Sequence, residues 1–271
     1  MRILRITVAS LFVVILVLFC FFHIQQNGAD KTYPVISIEN DVLNVSIRAT
    51  EADLLEGVTA YDAKDGDISH KIIVESISRF TKPGVSVVVY AVCDEDNHAV
   101  SASRKIIYTD YTPPRFTLSG SLVFGVSQNI NIRKLLGAQD SIDGDISDKV
   151  IITSNEYTTS IAGVNYIYAN ATNSKGDMIS IRLPVYVEEL QLSAPVIKLE
   201  HYLLYLKTGD FFDPAANLLS AADAGGTDVS TDVQLDTNLN TDAAGMYEVH
   251  YRVTDSAGRN GHAVLTVIVE D

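Results

Sequence analysis

The feature that most constrains this chain is a repeat of about eighty residues. A proline opens a β-rich run three times, in YPVISIEN from Tyr33, PPRFTLSG from Pro113 and APVIKLEH from Ala194. Pro34, Pro114 and Pro195 lie 80 and 81 positions apart. An acidic turn follows each time, DAKDGDIS from Asp62, DSIDGDIS from Asp140 and DAGGTDVS from Asp223, spaced by 78 and 83. A glycine (Gly84, Gly163, Gly245) then precedes a strong β pattern, and the tenth residue beyond it is Asp94, Asn173 or Asp255. Three markers sharing one period mean three copies of one folding unit.

Inside each copy the hydrophobic signal has period two, which indicates half-buried strands. Tyr247, Val249, Tyr251 and Val253 alternate with Glu248, His250, Arg252 and Thr254. Aligned on the glycines, the inward set is Val88, Tyr90 and Val92 in the first copy and Ile167, Ala169 and Ala171 in the second. The segment DSAGRN at 255–260 then turns the chain into a closing strand, HAVLTVIVE. Asp-x-x-Gly suits a type I turn followed by a left-handed residue, and Asn97 can take that place in the first copy. Each copy therefore reads as about seven short antiparallel strands forming a β-sandwich. The linker TDYTPP at 109–114 is short and proline-stiffened, favouring a rod. Three such units stacked end to end would extend roughly 100 to 120 Å.

These motifs carry a resemblance. The third copy holds TGDFFDP (208–214) and GMYEVHYRVTDSAGRN (245–260), and the first two hold DAKDGDIS and DSIDGDIS. Together they resemble the bacterial immunoglobulin-like repeat found in some pesticidal crystal toxins and in surface proteins of Gram-positive bacteria. The third copy departs at Gly226 and Thr227, where the others have Asp-Gly. The second departs at Asn165, Ala169 and Ala171, where aromatic alternation is lost. The resemblance implies immunoglobulin-like sandwiches with a linking or adhesive role and no shared catalytic activity.

Residues 1–29 are a separate matter. Ile6 to Ile24 is an apolar stretch broken only by Thr7, Ser10 and His23, long enough to span a bilayer core. Arg2 and Arg5 precede it and the next basic residue is Lys31, which places the N-terminus inside and the remainder outside. A cleaved signal peptide usually has a shorter apolar core and a small-x-small exit, and here Asn27-Gly28-Ala29 is the nearest approach. An uncleaved signal anchor fits best. The expected organisation is all-β, with three tandem immunoglobulin-like β-sandwiches (30–111, 112–191 and 192–271) after one N-terminal transmembrane helix (1–29).

Those first 29 residues hold two of the 20 basic side chains and no acid. The remainder thus has 18 basic against 34 acidic groups, a net charge of −16. Nucleic acid is excluded as the main partner, because it needs clustered cations. The membrane is engaged through the N-terminal helix. Beyond it the expected role is a binding, adhesion or spacer module at the bacterial cell surface, with an unidentified protein or a cell-wall glycan as ligand. An accessory or sensor ectodomain working through another membrane protein, and a carbohydrate-binding protein, are the alternatives; the absence of tryptophan counts against the last.

Two sites stand out. Asp62, Asp65, Asp67 and their counterparts Asp140, Asp143, Asp145 could supply oxygen ligands to calcium, the one cofactor the sequence suggests. The spacing differs from a helix-loop-helix calcium loop, and Val74 and Ile151 occupy the place of its bidentate glutamate. The competing reading is a turn whose carboxylates accept backbone N–H groups while Gly66 or Gly144 takes positive φ. The other site is a partner surface formed by Val85, Val87, Val89, Ala91 and Cys93, apolar on the outward side of its strand. Either a partner, an added strand or a covering loop would account for it, and the Cys93 thiol could also pair between molecules. An enzyme is not expected: no HExxH, phosphate loop or nucleophile elbow occurs. The six histidines never pair at ligand spacing, and His250 reads as solvated.

Overall fold

The computed structural model describes residues 11–21, 31–153, 158–189, 191 and 193–271. Residues 11–21 are helical. Among the described residues no helix is long and apolar enough to cross a membrane; the rest of the expected span, 6–10 and 22–24, lies outside them. Beyond the N-terminal segment the chain is all-β apart from single helical turns.

The first repeat contains β1 (Val35–Ile38), β2 (Val42–Val45), β3 (Val58–Asp62), β4 (Gly66–Asp67), β5 (Ile73–Ile77), β6 (Val85–Cys93) and β7 (Ala99–Tyr108). Its two sheets have the orders β1-β3-β4 and β2-β7-β6-β5. The second repeat contains β8 (Arg115–Leu118), β9 (Val123–Gly125), β10 (Leu136–Asp140), β11 (Gly144–Asp145), β12 (Ile151–Ile152), β13 (Gly163–Thr172) and β14 (Met178–Glu188). Its sheets are β8-β10-β11 and β9-β14-β13-β12. In the third, β15 (Val196–Leu199) and β17 (Leu218–Ala222) face the sheet β16-β20-β19-β18, with β16 (Leu203–Lys207), β18 (Gln234–Thr237), β19 (Gly245–Thr254) and β20 (Asn260–Glu270). The altered turn DAGGTDVS leaves a single Ala222–Asp228 bridge where the other repeats form a two-residue strand.

One expectation is corrected. The sandwiches are not wholly antiparallel, because β2, β9 and β16 run parallel to the closing strands β7, β14 and β20. Residues 39–41 carry the chain from one sheet to the other, so β1 and β2 lie on opposite layers. Such a crossing shields the free edge of the closing strand, which an exposed ladder would otherwise leave open to pairing with other chains.

Each repeat has its own apolar core. The alternation read from sequence is what fills it: Val88, Tyr90 and Val92, then Ile167, Ala169 and Ala171, then Val249, Tyr251 and Val253 are all buried. The two buried tyrosines also tie a loop to the core. Tyr90 donates to the Leu54 carbonyl at 2.7 Å, and Arg104, itself buried, donates to both Tyr90 and Leu54. Tyr251 donates to the Pro214 carbonyl at 2.7 Å, beside the buried Asn217. In the second repeat Ala169 occupies this place, and the 3-10 turn Ile132–Lys134 sends Ile132 into the core instead.

The chain divides into two compact units. One comprises residues 1–81 with 85–109, and the other 82–84 with 110–271. The second unit contains both the second and third sandwiches. Removing the Tyr251 hydroxyl by Tyr251→Phe strands the Pro214 carbonyl, and should cost about 1–2 kcal/mol in urea unfolding. A neutral result would show that water reaches this carbonyl.

Candidate functional site

The acidic turns are built from the inside out. Asp62 is buried, and its Oδ1 accepts the backbone N–H groups of Lys64 and Asp65 at 2.8 and 3.0 Å. Asp65 reaches across to the Glu95 N–H, while Asp67 accepts both the N–H and the hydroxyl of Ser69. Ser69 in turn accepts the Ala60 N–H at 3.0 Å. The second repeat copies this chain: Asp140 takes Ile142 and Asp143, Asp143 takes Ser174 and Lys149, and Asp145 takes Ser147. Hydrogen bonds from the serine hydroxyls hold Asp67 and Asp145 below the usual carboxylate range. Gly66 and Gly144 take φ of 77° and 73°.

These carboxylates therefore face different donors instead of converging. Among the described residues no group of three or more His, Cys, Asp or Glu is placed to hold a metal ion. In the third repeat Asp223 accepts Gly225 and Thr227, and the positive φ shifts to Gly226. The turn keeps its length despite the loss of Asp-Gly, since Ala222 still pairs with Asp228 as Tyr61 does with Asp67.

The apolar strand is placed differently from an edge. β6 lies between β5 and β7, so no strand can add to it. Val85, Val87, Val89 and Ala91 are half-buried, and Cys93 is exposed. Their cross-strand neighbours include Lys105, Ser103 and Ser101, but Val85 faces Ile107 and Ala91 faces the exposed Ile73, so the apolar surface extends beyond β6 at both ends.

A cluster that sequence reading missed lies where the second and third sandwiches meet inside one compact unit. Tyr205 and Ile268 of the third repeat pack against the core of the second, and the Phe116 N–H donates to the Tyr205 hydroxyl at 3.1 Å. Burial pushes the Tyr205 phenol up to about 12. Arg115 lies 4.8 Å over the Tyr205 ring and pairs with Glu270. Val264, on the outward side of β20, is buried all the same, and its N–H donates to Ser121 Oγ at 3.0 Å.

Next to this contact sit two histidines. The rings of His250 and His262 stack with centroids 5.3 Å apart, and Nδ1 of His250 lies 3.0 Å from Nε2 of His262. His262 Nδ1 is 2.9 Å from Glu188 Oε1, and His250 Nε2 is 3.6 Å from Glu248 Oε2. Tyr186 donates to Glu248 at 2.7 Å and presents its ring to both imidazoles. The hydrogen bond with His262 holds Glu188 below the usual glutamate range against its partial burial, and that with His250 does the same for Glu248. The relay is linear, so its nitrogen and oxygen atoms do not converge on one point. A cleft of about 750 Å³ opens beside it.

With the geometry in view, the comparisons bear on family. Residues 202–269 match the family model described as bacterial surface protein, Ig-like domain. By sequence, the third sandwich matches a bacterial surface Ig-like domain. Beyond it, the chain is 31% identical over 251 residues to pesticidal crystal protein Cry22Aa of Bacillus thuringiensis, covering 89% of this chain and 34% of that protein. An uncharacterized 81.3 kDa protein of Acholeplasma phage L2 is 30% identical over 138 residues, 49% of this chain and 18% of the phage protein. The chain thus spans about a third or less of these relatives. Among solved structures, the M60 catalytic domain with CBM51 domains from Clostridium perfringens ZmpB is 16% identical, with a TM-score of 0.26, covering 89% of this chain and 31% of that one. The protocadherin gammaB4 extracellular domain is 14% identical with a TM-score of 0.21, covering 89% and 50%.

The signal for the histidine pair was present in this Ig-like repeat but unused. The hairpin register set by DSAGRN pairs Arg252 with His262 and His250 with Val264, which makes the two histidines diagonal neighbours on the outer face. Spacing along the chain, which shows no pair at metal-ligand distance, does not reveal this contact, because it depends on cross-strand distance. His250 is half-buried, not solvated. Glu188 comes from another repeat, and no local pattern points to it.

For the acidic turns, Asp62→Ala should cost about 1–3 kcal/mol by orphaning two backbone donors, whereas Asp62→Asn keeps an acceptor and should cost clearly less. Chemical denaturation with and without millimolar calcium checks this. A calcium-dependent gain that both substitutions abolish would make the turn a metal site.

Proposed function

We propose that this chain is a displayed Ig-like repeat protein of the bacterial surface that holds a binding surface at a set distance from its anchor. Residues 6–24 serve as that anchor and the sandwiches face outward. The observation supporting a spacing role is the packed joint between the second and third sandwiches. Tyr205 and Ile268 are inserted against the neighbouring core, and Phe116 and Val264 donate hydrogen bonds across the contact. Flexible strings of domains place linkers, not core side chains, between neighbours. Here the two sandwiches share buried surface and resist bending as one body.

The acidic turns serve that role as internal braces, each fixing its loop to a strand without a bound ion. The ligand is a protein or glycan that meets the displayed surface.

Calorimetry of the full chain in detergent at pH 7.5 tests the spacing role. The second and third sandwiches should melt in one transition, and Tyr205→Ala should split it in two. Separate melting in the unaltered chain would overturn this role. For the anchor, the full chain should stay in the membrane pellet through carbonate extraction, and its release would remove the anchor from the reading.

A further inference from the structure

We propose that the outer face of the second sandwich is a glycan platform, on which Tyr168 stacks against a sugar ring and Arg182 holds a carboxylate that the glycan carries. This deepens the display reading above, and rests on it for the face being presented outward.

The platform follows from strand alternation. β13 and β14 bury Ile167, Ala169, Ile181 and Leu183, so Tyr166, Tyr168, Ser180 and Arg182 stand on the opposite face. The register sets Tyr168 across from Arg182, and Asn170 across from Ser180. Tyr166 and Tyr168 are 41% and 46% exposed. The Arg182 guanidinium lies 3.5 Å over the Tyr166 ring and 5.8 Å from the centre of the Tyr168 ring. Tyr166 is therefore the positioning residue, holding the cation by attraction to its π face.

Arg182 differs from other stacked or outward arginines in what it lacks. Arg115 stacks on Tyr205 but also pairs with Glu270. Arg252 lies 3.7 Å from Glu188, and Arg259 lies 2.7 Å from Asp255. Among the described residues no carboxylate pairs with Arg182, and the outward positions of β13 and β14 from Val164 to Tyr186 hold no acid. This is so in a chain with 34 acidic side chains against 20 basic ones. Stacking leaves the N–H edge of the guanidinium unspent, and that planar fork matches a carboxylate in bidentate fashion.

Size selects the class of ligand. Pro184 is buried and Tyr186 is engaged by Glu248, which closes the face toward the third sandwich. The open part has the exposed Val164, Ile151 and Met178 at its margins. Three strands by about five rows of outward side chains come to on the order of 400 Å². A stable protein interface buries about 800 Å² on each partner. A short stretch of glycan needs less. The negative face of Tyr168 meets the C–H groups of a sugar ring, and Asn170 and Ser180 offer hydrogen bonds to its hydroxyls. The net negative charge of the chain does not forbid an acidic ligand, because physiological salt screens it beyond about 8 Å.

The test is retention of the full chain, in nonionic detergent with chelator at about 0.15 M salt, on beads carrying polygalacturonate or hyaluronate, each beside its methyl ester. The chelator removes any divalent ion that would bridge two acidic molecules. The unaltered chain should be retained by an acid form with an apparent Kd about tenfold or more below that for its ester. Arg182→Gln should weaken retention by about tenfold or more, and Tyr168→Leu by several-fold. Both side chains are exposed, so both variants should melt as the unaltered chain does, which calorimetry of the same samples records. Equal retention on acid and ester, or retention unchanged by either substitution, overturns the assignment. No retention on any bead overturns the glycan and leaves the face to a protein partner. None of these failures touches the spacing role while the second and third sandwiches melt together; separate melting with retention intact overturns that role alone.

Discussion

The long hairpin that ends each repeat is the element on which the rest hangs. In β6–β7, β13–β14 and β19–β20 the alternation of inward and outward side chains sends one face into the core along strands of nine to eleven residues. The register is pinned at the turn. Asp94 accepts the His98 N–H, Asn173 accepts the Asp177 N–H, and Asp255 accepts those of Ala257 and Arg259. All three capping side chains are buried. A slip of one residue would turn every core side chain to solvent, so this small polar contact decides which face becomes core. The acidic turn then braces the opposite sheet against that hairpin. Asp65 and Asp143 reach the backbone just after Asp94 and Asn173, linking the two sheets at one end.

The repeats share this frame and differ on their outer faces, which is where function enters. In the first, the outer face of β6 is an apolar file flanked by Ser101, Ser103 and Lys105 and widened by Ile73 and Ile107. In the second, Tyr166 and Tyr168 stand on the outer face with the Arg182 guanidinium 3.5 Å over the Tyr166 ring. The third uses its outer face to meet the second: Val264 and Thr266 on β20 are as buried as core residues. Burying this surface is favourable but not directional, so direction comes from the polar contacts around it. The Ser121, Tyr205 and His262 contacts set how the two sandwiches meet.

Much of the architecture was legible because it depends on local periodicity. The glycine-led strands, their inward residues, the positive φ of Asn97 and the self-bracing of Asp62 and Asp140 all follow from short stretches of chain. The parallel pairing of β2, β9 and β16 was not legible, since a strand of three to five residues carries no mark of which sheet it joins. Nor was the histidine relay, because Glu188 and His262 are 74 residues apart and meet only through the packing of two repeats.

What the sequence by itself determined is therefore the repeated unit: three copies, each with a core set by period-two burial and turns whose side chains satisfy their own backbone. Tertiary structure alone decided how the second and third copies join and which outward residues become buried there. The reason is physical. Hydrogen bonds within a turn depend on neighbours in the chain, whereas a contact between two finished domains depends on the summed shape and charge of surfaces that no single segment encodes.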